Sequence, residues 1–124
     1  MPENVPTISD MIRWELHCLQ ISPTLRGHHY LVYAIEQVVN NPLRVKDVTK
    51  DLYPDTAHYF ETTWQAVERN IRWAVLACWN GDGRDTLREI AGCQLSVRPK
   101  TAVFIAIVAE YVTKLYHAEA GVNG

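Results

Sequence analysis

The chain holds little of what most biochemical activities require. Its three cysteines, Cys18, Cys78 and Cys93, are far apart, odd in number and not in a C-x-x-C pair. That spacing argues against a disulfide framework and a closed zinc site, and the apolar neighbours point to inert buried thiols in a reducing compartment. No run approaches the roughly 20 apolar residues of a membrane span. The start, MPENVPTISD, has acidic residues and no basic segment, so it does not read as a secretory signal. A cytoplasmic protein without a membrane partner is expected.

Catalytic signatures are scarce too. There is no Gly-rich phosphate loop, no H-E-x-x-H and no nucleophile elbow, so neither an enzyme nor a small-molecule substrate is expected. His28, His29 and His58 have no carboxylate or Cys partner at ligand spacing, and no metal or other cofactor is expected. Asp82 and Asp85 read as turn and capping residues. Charge of one sign is also lacking, with a net of −2, whereas nucleic-acid binders usually carry a basic balance. The balance is uneven: residues 40–100 carry +1 and the remainder −3.

What is present is helical periodicity. The 124 residues suit one compact domain, 1–124, with 48% apolar residues to build its core. Residues 7–20 read as a first helix, capped by Ser9 or Thr7, with Ile8, Met11, Ile12, Leu16 and Leu19 inward. Residues 28–41 read as a second, with Leu31, Ala34, Ile35, Val38 and Val39 inward and Pro42 ending it. Residues 43–52 suit a short helix, with Val45, Val48 and Leu52 inward. Pro54 fits the first turn of another. Residues 85–91 make a short amphipathic helix that Gly92 terminates. Residues 101–118 make the last, with Val103, Phe104, Ile107, Val108, Tyr111, Val112 and Leu115 on its apolar face. Strand-like alternation is confined to a weak hint at 94–97. The expected class is all-α, about six helices, with a helix-turn-helix at about 53–79.

That unit is the most informative stretch. A Thr62–Gln65 capping box is expected to open its long helix, and the NGDG segment at 80–83 to stop it. Val67, Ile71, Ala74, Val75 and Cys78 fall at helical spacing and must pack inward. Gln65, Glu68, Arg69 and Arg72 form a hydrogen-bonding face on the other side. A helix buried on one side, with arginines near its N-terminus, meets the requirement of a DNA-reading helix. An Arg fork matches guanine O6 and N7, Glu68 accepts from a cytosine amino group or holds an Arg, and Gln65 suits adenine or a phosphate. The bland alternative is a solvated face laced by a Glu68–Arg72 pair, worth about 0.3–0.5 kcal/mol.

Four sequence blocks carry a resemblance: RGHHYLVYAI at 26–35, VTKDLYPDTAHYFETT at 48–63, AVERNIRWAV at 66–75 and FIAIVAEYV at 104–112. In order and spacing they are similar to the C-terminal DNA-binding domain of the sporulation master regulator, stage 0 sporulation protein A of endospore-forming bacteria. The resemblance covers about residues 8–117. It implies a six-helical effector domain that binds a promoter element in double-stranded DNA and regulates transcription, as a homodimer or head-to-tail pair on tandem sites. It implies base contacts at Glu68, Arg69 and Arg72, with Gln65 one turn earlier. Where the family usually has Ser-Arg, this chain has Gln65-Ala66; where it has His, this chain has Trp73. Family members normally carry an N-terminal phosphoacceptor receiver domain. With Met1 just ahead of the effector region, a chain without that switch is expected.

Around this core, Thr62 and Thr63 are expected to set the helix N-terminus on a phosphate. Lys46, Lys50, Arg98 and Lys100 are the candidate phosphate contacts, with ordinary solvated charge as their alternative. Trp73 is open to several roles: contact with a thymine methyl or a sugar, a protein interface shared with Trp64, or simple core packing. The competing functional reading is a diverged domain that keeps the fold and binds protein instead of DNA.

Overall fold

Thr7 opens the first helix. The structure, a computed structural model, describes residues 6–119, so the first half of the MPENVPTISD segment lies outside it. The Thr7 hydroxyl accepts from the Asp10 amide and the Asp10 carboxylate from the Thr7 amide. This reciprocal cap starts α1 (Ile8–Cys18). Ser9, the other candidate cap, instead donates to Glu36 Oε1 at 3.1 Å and ties α1 to α2 (Arg26–Asn40). Met11, Ile12, Leu16 and Leu19 are buried, as are Leu31, Ala34, Ile35 and Val38 of α2. The periodicity of both helices is confirmed, with Ile8 and Val39 at the half-buried edges.

The short helix expected at 43–52 is two pieces, a 3-10 stretch at Pro42–Asp47 and a π turn at Val48–Leu52. Asp47 leaves the helical region at φ −141 and ψ 65, and its carboxylate accepts from the Lys50 amide at 3.3 Å. Arg44 pins this segment. Its guanidinium donates to both oxygens of Asp51 at 3.0 and 2.9 Å and to Gln37 Oε1 at 3.1 Å, and pairs with Asp55 at 3.0 Å. The Tyr33 hydroxyl donates to the same Asp55 at 3.1 Å.

Next come α3 (Tyr53–Tyr59) and α4 (Trp64–Asn80), then α5 (Gly83–Ala91) and α6 (Thr101–Glu119). Pro54 sits in the first turn of α3, as expected. The expected Thr62–Gln65 capping box is corrected. Thr63 is the cap, extended at φ −102 and ψ 153, and its hydroxyl accepts from the Ala66 amide at 3.1 Å. Thr62 is used otherwise, since its amide closes the end of α3 on the Ala57 carbonyl at 2.9 Å. Position N3 is therefore Ala66, which has no side chain to complete a box.

All five stripe residues of α4, Val67, Ile71, Ala74, Val75 and Cys78, are buried. The face of α6 is turned from expectation. Phe104, Ile105, Val108, Ala109 and Val112 are buried, while Val103 is 47% exposed and Ile107 and Leu115 are half-buried. α2 lies at the centre, packed on α4 and α6; α1 covers α2 and α6, and α3 packs on α4. Gly27 permits the α2–α4 approach, since a Cβ there would meet the Asn70 carbonyl oxygen at 2.2 Å. The described residues form one all-helical domain, and 94–97 is an irregular loop. Of the expected buried thiols only Cys78 is fully buried; Cys18 is half-buried and Cys93, just past α5, is exposed. No described helix is long and apolar enough to cross a membrane.

Candidate nucleic-acid interface

The inward stripe of α4 fixes which side faces solvent. With Val67, Ile71 and Ala74 in the core, Gln65, Arg69 and Arg72 are exposed and Glu68 is half-buried on the opposite side. The four expected reading residues therefore share one accessible face over the first turns of α4. Thr63 stands at its start with the hydroxyl turned onto the helix, and Thr62 is half-buried in the turn before it. The positive dipole end of α4 lies beside them, with Trp64 and Gln65 of its first turn exposed.

Both arginines already have partners on their own helix. Arg72 donates to Glu68 Oε1 one turn earlier. Arg69 lies over the Trp73 ring, 5.6 Å from its centroid. Each pair is spaced i, i+4 and holds a long side chain in a defined direction. The lacing contemplated as the bland alternative is thus present, and it leaves Arg69 and Arg72 accessible. Full core packing is excluded for Trp73, which is 55% exposed; Trp64 is 40% exposed.

The fold adds a second basic element to this face. A cleft of about 300 Å³ is lined by Glu68 and Arg72 from α4, by Arg98, Pro99 and Lys100 from the α5–α6 loop, and by Thr101 at the start of α6. Pro99 is buried and anchors the loop, while Arg98 and Lys100 are exposed on either side of it. Three cations and one carboxylate thus line a single cleft in a protein whose net charge is −2. Sequence separation hides this, since Arg72 and Arg98 are distant along the chain. Lys46 and Lys50 are exposed on the 42–52 segment, which packs on α2, α3 and α6, and do not line the cleft.

Behind Thr101 of the cleft stands a residue to which sequence reasoning gave no role. The Tyr53 side chain is buried, and its hydroxyl lies 2.6 Å from Thr101 Oγ1, joining the start of α3 to the start of α6. Tyr53 belongs to the LYPD block, so the resemblance marked it without giving its task. Two of the histidines, His28 and His29, lie against backbone carbonyls. His28 is buried with Nδ1 3.4 Å from the Ile21 carbonyl, and burial pushes its pKa down. His29 Nε2 lies 2.8 Å from the Pro23 carbonyl.

A family model described as sporulation initiation factor Spo0A C terminal matches residues 12–112 of the 124. The match runs through the whole of α2 to α5 and includes most of α1 and α6. By that match the chain belongs to the Spo0A C-terminal domain family, a family of DNA-binding domains that regulate transcription.

Proposed function

We propose that this chain, as a single effector domain over residues 1–124, binds a promoter element in double-stranded DNA with α4 lying in the major groove. The α3–turn–α4 unit at 53–79 is its helix-turn-helix. Arg69 and Arg72 read guanine edges, Glu68 accepts from a cytosine amino group or steers Arg72, and Gln65 reads an adenine or meets a phosphate. Thr62 and Thr63 hold a phosphate at the α4 N-terminus. Arg98 and Lys100 clamp the backbone beside the groove, and Lys46 and Lys50 meet only the flanking duplex. The domain acts in the cytoplasm and binds tandem elements as a homodimer.

The observation that carries this reading is the cleft where Arg98 and Lys100 join Arg72 beside an exposed reading face. It concentrates positive charge where a groove-bound helix would bring phosphates, although the whole chain is acidic. The exposure of Trp64 and Trp73 favours a second reading, a protein-docking face. Titration against duplexes carrying the family's promoter element and a scrambled control, at two salt concentrations, separates the two. Sequence-specific binding that weakens with salt and is lost in Arg69→Ala and Arg72→Ala is expected. No binding at micromolar protein and low salt, with self-association abolished by Trp73→Ala, would establish the docking face instead.

A further inference from the structure

On the exposed side of α4, residues four apart stand in one row: Gln65, Arg69 and Trp73. The row rises about 12 Å, the span of roughly three to four base-pair steps. Its last member is unlike the others. Trp73 leaves a large indole 55% exposed, while the inward stripe of α4 is complete without it. The indole adds little to the core and puts an isolated apolar surface at the end of a hydrogen-bonding face. Its one aromatic contact with charge is the Arg69 guanidinium, 5.6 Å from the ring centroid.

Base edges in the major groove are almost entirely donors and acceptors, and the apolar exception is the thymine 5-methyl group. We propose that Trp73 is a specificity-determining residue, packing its indole on the 5-methyl of a thymine in the base pair beside the one Arg69 reads. This rests on α4 lying in the major groove. The i, i+4 pairing holds guanidinium and indole together, so the two meet adjacent base pairs as a unit. Glu68 and Arg72 pair with each other on the neighbouring row, and Trp73 stays 55% exposed.

The test uses the full chain and a binding site selected from a random duplex library. Each thymine of that site is replaced in turn by deoxyuridine, which removes the methyl and keeps the base-pair hydrogen bonds. One replacement should weaken wild-type binding about fourfold, the worth of one buried methyl. That sensitivity should vanish in Trp73→Ala and survive in part in Trp73→Phe, both checked for unchanged thermal unfolding. Retention of the penalty in Trp73→Ala would overturn the assignment. So would a site indifferent to every replacement, or a Trp73→Ala loss equal on all duplexes, as a sugar contact would give. A chain that selects no duplex overturns the placement of α4 itself, whereas one that selects a duplex and ignores the methyl overturns only the role of Trp73.

Discussion

The Tyr53 hydroxyl and Thr101 Oγ1, 2.6 Å apart, join the first residue of α3 to the first residue of α6. Burial pushes the Tyr53 pKa up, the Thr101 bond opposes that, and the nearby charge of Glu68 adds to the rise. The bond ties down one residue of the cleft lining, since Thr101 follows directly on Arg98, Pro99 and Lys100. Tyr53→Phe keeps the packing and leaves Thr101 without this partner. A loss of about 1 kcal/mol in denaturant unfolding is expected. If the loop holds backbone rather than base edges, as proposed, DNA affinity should fall with unchanged sequence preference. Wild-type stability and affinity in Tyr53→Phe would show that packing alone positions the loop.

Gly27 controls the seat of α4 from behind. A methyl added there would stand 2.2 Å from the Asn70 carbonyl oxygen and 3.1 Å from the Ala74 side chain. Neither is the end of a flexible chain, so α2 and α4 must separate. Gly27→Ala is expected to cost roughly 3 kcal/mol, the upper part of the overpacking range, despite alanine's better helix propensity. Urea unfolding measures it directly. A stabilised Gly27→Ala chain would mean that the α2–α4 approach is looser than the structure gives.

The turn between α3 and α4 holds a residue in the left-handed region, Glu61 at φ 55. Such a backbone costs a side chain roughly 1–2 kcal/mol that glycine escapes, offset in part by glycine's greater unfolded-state freedom. Glu61→Gly should therefore raise stability by roughly 0.5–1 kcal/mol, read as a higher denaturation midpoint with unchanged slope. Glu61→Val should lower it.

The parts of this fold legible in sequence are those where one face is apolar and the other polar. α4 alternates at helical spacing, so spacing alone assigns Val67, Ile71, Ala74, Val75 and Cys78 inward, where they lie. α6 cannot be phased that way. It is apolar nearly all round, and neighbouring helices decide that Ile105 and Ala109 go in while Val103 stays out. The neighbouring threonines pose a similar ambiguity, because either hydroxyl suits a cap and only the path of the chain leaving α3 selects Thr63. Within the candidate interface, the i, i+3, i+4 spacing of Gln65, Glu68, Arg69 and Arg72 places them on one face. Proximity along the chain is a poor guide to the lysines and the loop arginine: Arg98 and Lys100 come to the cleft and Lys46 and Lys50 do not.

Glu15 makes stability depend on pH. It is 5% exposed, and burial pushes its pKa above the ordinary glutamate value of 4.5. Its charge in turn raises the pKa of Cys18 and of Tyr111 on α6, which places it at the α1–α6 contact. A raised carboxyl pKa means that the folded state holds the proton more tightly than the unfolded state. The stability this contributes is full below pH 4.5 and is lost as pH rises through the folded value. Glu15→Gln should therefore stabilise the protein at pH 7, with the gain shrinking toward pH 4. Thermal unfolding across that range checks it, and a gain independent of pH would assign the effect to packing.

The exposed cations divide by whether they line the cleft. Arg98 and Lys100 line the cleft with Arg72, whereas Lys46 and Lys50 lie outside it on the 42–52 segment. Each lost phosphate contact lowers the slope of log affinity against log salt by about one unit. The double change Arg98→Ala with Lys100→Ala should thus lower it by about two, on long and short duplexes alike. On the proposed placement of α4, Lys46→Ala with Lys50→Ala should lower the slope only on a duplex with long flanks. Measuring both double variants on two duplex lengths separates clamping beside the groove from flanking attraction. Equal effects of the two pairs on the short duplex would move Lys46 and Lys50 into the primary interface and require α4 to lie differently on the DNA.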